Sequence, residues 1–294
     1  MGTRPVVVGV DGSGDSMRAV EWAAMEAKRH GTALRIVSAP TMPPRMHAAD
    51  MSPETVADAL RAMSAHALGE AVARAEEVTT GLLIDTDLLA GVPAIGVTNS
   101  GAGALMLVVG ARGAGGFAAM LLGSVSRYAA MHAQCPVAVV REGTSAVIRE
   151  VAVGIRDTHD ASAPLAFAFE EAALRGATLV AVHSCGSLLS VPGGPWTSQP
   201  AGRAAAGAEG VSQEARHDLA EALGTWQDKY PDVPVRLDVV HGHPAKTLAS
   251  YSARADLVVI GRRGGPVTGP AIGAIQHAVL HHAHGPVAVV PSER

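Results

Sequence analysis

Residues 105–126 read LMLVVGARGAGGFAAMLLGSVS, and 151 positions further on, residues 256–276 read DLVVIGRRGGPVTGPAIGAIQ. Each stretch opens with an apolar run of strand length, breaks at glycines and closes on the start of a helix pattern. The same strand, glycine loop and helix met twice points to a repeat. Upstream, Val6-Val7-Val8-Gly9-Val10 matches Val151-Ala152-Val153-Gly154-Ile155 at an offset of 145, and Gly31, Leu34 and Val37 fall on Gly176, Leu179 and Val182. Gly91-Val92-Pro93-Ala94 meets Gly242-His243-Pro244-Ala245 at an offset of 151, and Cys135-Pro136-Val137 meets Gly285-Pro286-Val287 at 150. The changing offsets place a gain of six residues after the second strand and a loss of one between Gly261 and Gly273. The 294 residues therefore divide into two similar units, 1–143 and 149–294, with the polar stretch 141–149 as linker.

Each unit alternates strand and helix patterns, which predicts an α/β domain with a parallel sheet covered on both faces. In the first unit the expected strands are 6–11, 34–38, 82–89, 105–110 and 136–140. The expected helices start near Asp15 or Ser16, at Ser52-Pro53, at Pro93 and at Gly123. Aromatic residues are only 3% of the chain, so Ala, Val, Leu, Ile and Met must fill the cores. The Pro/Gly-rich stretch 190–210, with Trp196, reads as an exposed loop.

Composition narrows the function. Net charge is −4, and neither half is cationic, so the electrostatic footprint of a nucleic-acid-binding protein is missing. No basic run flanks an apolar helix, and no apolar run reaches the length of a membrane span. The N-terminal residues enter a strand pattern without the apolar region of a signal peptide. Cys135 and Cys185 form neither a metal spacing nor a disulfide framework. A cytoplasmic protein, binding neither nucleic acid nor membrane, is expected.

Two stretches carry chemistry. Gly110-Ala-Arg112-Gly113, then nine residues, then Gly123-Ser124-Val125-Ser126 lies between strand and helix. Glycines admit a close anion and positive φ, backbone amides form a nest, and the helix start adds N–H groups and its positive dipole end. Ser124 and Ser126 offer hydroxyl donors, with Ser124 able to cap the helix. The same letters also read as a flexible linker. At the end of the first strand, Val10-Asp11-Gly12-Ser13 places an acid where parallel sheets bind ligands, able to accept from a ribose hydroxyl or an adenine amine. Asp11 also reads as an ordinary turn residue. His277, His281, His282 and His284 are read as decorating a helix C-terminus in preference to holding a metal. Cys135 is read as a core thiol.

Together these residues resemble the universal stress protein family over essentially the whole chain, in the tandem two-domain form common in actinobacteria. The family's ATP-binding members carry G-x2-G-x9-G-(S/T), met here by Gly110, Gly113, Gly123 and Ser124. Gly9, Asp11 and Ser13 match the family's V-G-(V/I)-D-x-S, and Cys135–Val140 match its last strand. The resemblance implies two Rossmann-like, adenine nucleotide α-hydrolase-like domains, each a five-stranded parallel sheet in the order 3-2-1-4-5 flanked by helices. It implies ATP, with or without magnesium. Asp11 would face the adenosine part and Val37 the adenine. Arg112, Gly113, Ala114, Gly115, Gly116 and Gly123, Ser124, Val125, Ser126 would face the phosphates. It also implies pairing through the last strands, here within one chain, with a further homodimer open.

The second unit departs from the pattern. Arg156 replaces the Asp, eight residues separate Gly264 from Gly273 with Pro266 and Pro270 among them, and Ala274 replaces the Ser. Gly154, Gly261, Arg262, Gly264 and Gly273 are therefore a weaker set, and the second site is expected to be degenerate. Binding groups without an evident general base suggest a nucleotide-dependent regulator of stress response or growth arrest, at most a weak ATPase. The alternatives are an ATP-using enzyme of the adenine nucleotide α-hydrolase superfamily and a ligand-free dimerisation module.

Overall fold

The computed structural model describes residues 4–40, 52–114, 122–141, 147–156, 161–185, 201–262, 264–265, 269–270 and 273–291. The first half runs β1 (Val6–Val10), α1 (Gly14–Arg29), β2 (Leu34–Ser38), α2 (Pro53–Val78), β3 (Ile84–Leu88), α3 (Pro93–Ser100), β4 (Met106–Gly110), α4 (Ser124–His132) and β5 (Val137–Val140). The second runs β6 (Glu150–Gly154), α5 (Ser162–Arg175), β7 (Thr178–Cys185), α6 (Ala201–Lys229), β8 (Val235–His241), α7 (Pro244–Tyr251) and β9 (Leu257–Arg262). It ends with the short β10 (Gly264–Gly265) and β11 (Gly269–Pro270), then α8 (Ala274–His282) and β12 (Val287–Pro291).

Strand order follows from composition. β1 is apolar on both faces, so it sits centrally, parallel to β2 on one side and β4 on the other. β3 carries Asp85, Thr86 and Asp87 and lies at the edge. The full sheet is β3-β2-β1-β4-β5-β12-β9-β6-β7-β8, so each half has the expected order 3-2-1-4-5. Within this sheet, every ladder inside a half is parallel. The junction is antiparallel, with Val287 opposite Val139 and Val289 opposite Val137.

Alternation along the strands divides the core into two layers. Val6 and Val8 join Ala19 and Ala23 of α1 and Ala71 of α2, and on that same face Val151 and Val153 join Leu165 and Phe169 of α5. Val7 joins Val97 of α3 and Ala129 of α4, and the layer continues to Leu248 of α7 and Leu280 of α8. Both layers cross the junction. The few aromatic residues are concentrated rather than absent: Phe169 stacks on Trp226 at 6.2 Å and on Tyr230 at 5.7 Å, between α5 and α6.

A polar contact also crosses between halves. Glu26 of α1 and Glu171 of α5 are repeat equivalents, and both side chains are fully buried. Arg175 Nη2 donates to Glu26 Oε1 at 2.6 Å and Nη1 donates to Glu171, while His30 Nε2 lies 2.9 Å from Glu171 Oε1. Burial pushes the Glu26 carboxyl up to about 7, with the Glu171 charge adding to it against Arg175 and Arg29. His30 is raised because its hydrogen bond to Glu171 and the surrounding carboxylates outweigh the burial that would lower it. Burial would raise Glu171 too, but His30 and Arg175 hold it low. Glu26 and Glu171 diverge because Glu26 leaves Oε2 buried without a partner.

One sequence expectation fails here. Residues 201–210 belong to α6 rather than to a loop; the alanines of this stretch favour helix strongly enough to carry its three glycines. Trp196 lies outside the described residues. The third strand is shorter than read, because Leu82 and Leu83 precede it.

Candidate functional site

The carboxyl ends of β1 and β4 face one crevice. Past β1 the chain turns at Gly12, with φ of +79°, and enters α1 through Ser13, whose hydroxyl accepts from Ser16 N at 3.2 Å. That turn presents Asp11. Its Oδ1 accepts from Ser13 N at 3.0 Å, and its Oδ2 accepts from Ala114 N, in the glycine loop, at 2.7 Å. Ser13 Oγ reaches Arg112 O at 3.4 Å. The two stretches singled out in the sequence therefore meet directly.

Asp15, read from sequence only as a helix start, fastens the other side of the loop. It is 7% exposed, and its Oδ2 accepts from both Arg112 N and Arg112 Nε at 3.1 Å, while Oδ1 pairs with Arg18. Burial alone would raise its pKa, but hydrogen bonds and charge from Arg112 and Arg18 hold the carboxyl below the ordinary range. An acid in the first turn of a helix that follows a glycine turn was the only available signal. Its partner lies 97 residues away.

The glycines are needed for space. None of Gly110, Gly113 and Gly123 has positive φ, contrary to the expectation from their number. A Cβ at Gly110 would lie 2.7 Å from the Asp15 carbonyl, and one at Gly113 would lie 2.3 Å from Asp11 Oδ2. Gly9 likewise makes room for Val97. Gly115 and Gly116 lie outside the described residues.

At the start of α4 two roles change. Gly123 is the N-cap, with no side-chain cap bond, and Ser124 is the first helical residue, exposed. Ser124 therefore does not cap the helix. Ser126 is buried, and its hydroxyl donates to Ala111 O at 3.0 Å and Gly123 O at 3.1 Å, so it holds the loop to the helix instead of offering a free donor. Val125 packs against the adjoining core, and Val37 is fully buried in β2. Cys135 is a buried thiol, pushed up to about 11 by burial, as befits a core residue.

In the second half, Arg156 follows β6 in the place of Asp11, and Gly154 makes room for Leu248. The glycine loop folds on itself: β10 and β11 pair antiparallel, Gly264 opposite Pro270 and Gly265 opposite Gly269. Backbone groups that would form an anion nest are thereby turned into a small ladder. Gln276, in the place of Ser126, donates from Nε2 to Gly261 O at 3.0 Å. Gly273 caps α8, again without a side-chain bond, and Arg262 ends β9.

The histidines of α8 include a tilted pair, His277 and His281, with ring centroids 4.2 Å apart and ring planes at 35°. Among the described residues, metal-type ligand atoms instead come within 4.8 Å of one another at Glu26, His30 and Glu171. Arg175 already supplies the cation there. Among the described residues, no helix is long and apolar enough to cross a membrane.

Comparison with known proteins agrees with the repeat. The profile of the universal stress protein family matches residues 2–141 and again 148–291. A universal stress protein of Mycobacterium tuberculosis is 36% identical over 300 aligned residues, covering 97% of this chain and 96% of its own. One from Mycolicibacterium smegmatis is 34% identical, covering 97% and 96%. The crystal structure of a universal stress protein from Archaeoglobus fulgidus shares the fold with a TM-score of 0.70 at 16% identity, covering 99% of this chain and 97% of its own.

Proposed function

The chain belongs to the universal stress protein family, and from that premise we propose that its first half, residues 1–143, binds ATP and acts as a nucleotide-dependent regulator of stress response or growth arrest in the cytoplasm. The observation that carries this reading is the Asp11–Ala114 contact, which joins the proposed ribose-facing acid to the proposed phosphate loop in one crevice. Both groups are satisfied by each other without ligand. With ligand, Asp11 accepts from a ribose hydroxyl, and the Ala114 amide donates to a phosphate together with the amides at the start of α4. Gly9, Ser13, Arg112 and Gly113 shape and position the loop, and Ser124 offers its hydroxyl at the start of α4.

Regulation is favoured over catalysis because both carboxylates of the crevice are engaged, Asp11 by two amides and Asp15 by two arginines. Neither is placed to activate water. In the second half, residues 149–294, the altered loop and the loss of Asp and Ser support a site degenerate for ATP. The β5–β12 ladder serves as the partner contact between the two halves, taking the place of a contact between separate subunits.

Mass spectrometry of freshly purified, denatured protein tests the reading. Retained ATP, about one per chain, is expected. AMP with a second product would favour an ATP-using enzyme, and no nucleotide at all would favour a ligand-free dimerisation module. Asp11→Ala is expected to weaken ATP binding about ten- to a hundredfold, by calorimetry, with the fold retained. Unchanged affinity would reduce Asp11 to a turn residue.

A further inference from the structure

The second half holds a cavity of about 360 Å³ at the carboxyl ends of β6 and β9, a volume within the range of small-molecule sites. Its walls are largely apolar, formed by Val182, Leu248, Ile260 and Ile275. Arg156 and Arg262 also line it, and no described lining residue is a carboxylate. In the first half, by contrast, Asp11 and Asp15 stand at the crevice, with Arg112 and Arg18 paired to Asp15. Arg156 is exposed, and no hydrogen bond or ion pair engages it among the described residues. Gly273 and Ala274 bring the start of α8 to the same cavity with no side-chain cap, so the first-turn amides and the positive helix end face it.

The groups a nucleotide would use have also changed. The two serines of the first half are Ala274 and Gln276 here, and the Gln276 amide is held on Gly261 O. Ser184 lines the cavity but donates to Gly242 O at 2.7 Å. The glycine loop pairs with itself. What remains is an apolar chamber with a cationic end and few polar groups to satisfy sugar hydroxyls.

We propose that this cavity binds a small organic anion that is not a nucleotide: a planar or branched apolar body bearing one carboxylate, sulfonate or phosphate group, with the charge against Arg156. The apolar body gains by leaving water, and the anion gains a guanidinium and helix amides at a partly dehydrated site. The inference does not depend on ATP binding in the first half.

Fluorescence titration of the full chain with 8-anilinonaphthalene-1-sulfonate tests it, with neutral N-phenyl-1-naphthylamine as the same kind of body without the charge. Arg156→Asp is expected to weaken the anionic dye about tenfold or more, the effect of losing one charge-assisted contact, and to change the neutral dye little. Ala274→Trp, which fills the mouth from an exposed position, is expected to weaken both. Saturating ATP is expected to displace neither. Arg156→Ala provides a second charge deletion should the reversal impair folding. Equal anionic-dye affinity in wild type and both Arg156 variants overturns the proposal, as does displacement of the Arg156-dependent dye by ATP. Asp11→Ala is expected to leave dye binding unchanged, so failure of the nucleotide reading and failure of this one give different results.

Discussion

Gly110 and Gly113 lie three residues apart and are glycine for different reasons. At Gly110 a side chain would press on the Asp15 backbone, which α1 fixes; at Gly113 it would press on the Asp11 carboxylate, which can rotate. Gly110→Ala is therefore expected to destabilise the protein by about 1–3 kcal/mol, the usual range for overpacking, with or without nucleotide, as read from denaturant unfolding. Gly113→Glu should instead break the Asp11–Ala114 contact and add negative charge beside the proposed phosphate loop. Nucleotide retention should disappear while the ligand-free thermal midpoint drops only by a few degrees. Gly264→Glu should leave total bound nucleotide nearly unchanged. A protein emptied by Gly264→Glu but still loaded with Gly113→Glu would place the working site in the other half. The positions of these glycines were legible in the sequence, because spacing between a strand and a helix is a local property. Their reason was not: it depends on Asp15 and Asp11 arriving from a segment about a hundred residues earlier, which no local pattern encodes.

Elements show the same division. The central strands were legible to within a residue, because a short, nearly unbroken apolar run leaves few other readings, as in Val6–Val10. Caps were legible where the signal was chemical: Ser52 does accept from Thr55 N, ahead of Pro53. The start of α6 was missed because glycine and proline upstream outweighed the alanine run in a local reading. The contact between α1 and α5 was also invisible, since Glu26 and His30 resemble any helix end until Glu171 and Arg175 face them. That contact predicts a pH dependence. Glu26 and His30 both hold protons more tightly in the folded chain than in the unfolded one, so their stabilising contribution is full at mildly acidic pH. It is lost progressively as pH rises: for Glu26 from the ordinary carboxylate value through about 7, and for His30 past the ordinary imidazole value. Glu171, held low, acts oppositely and only at more acidic pH, where its protonation removes stability. The thermal midpoint should therefore fall by a few degrees between about pH 5 and 8, and Glu26→Gln should flatten that slope. A slope unchanged by Glu26→Gln would assign the dependence to other groups.

For the whole molecule, the two core layers and the sheet run through the junction without a break. Heating should therefore give one calorimetric transition for both halves, and ATP at a hundred times its dissociation constant should raise the stability of that single transition by about 2.7 kcal/mol. Two separate transitions, with only one moved by ATP, would show that the junction does not couple the halves. The repeat made the tandem legible, but the direction in which the last strands meet was not, because β5 and β12 are equally apolar and would suit either.

The β5–β12 ladder has a further consequence. Two free subunits meet at a rate and an extent set by how many copies a cell makes, whereas the halves of one chain remain neighbours at any abundance. Both inner rims are consumed by that meeting, and the rims left over belong to β3 and β8, which carry Asp85 and Asp87 on one and Arg236 and Asp238 on the other. Charge at both ends discourages a third unit from extending the sheet. The pairing of the two halves is thus held by covalent linkage, insensitive to dilution, and cannot be scrambled by exchange with other copies.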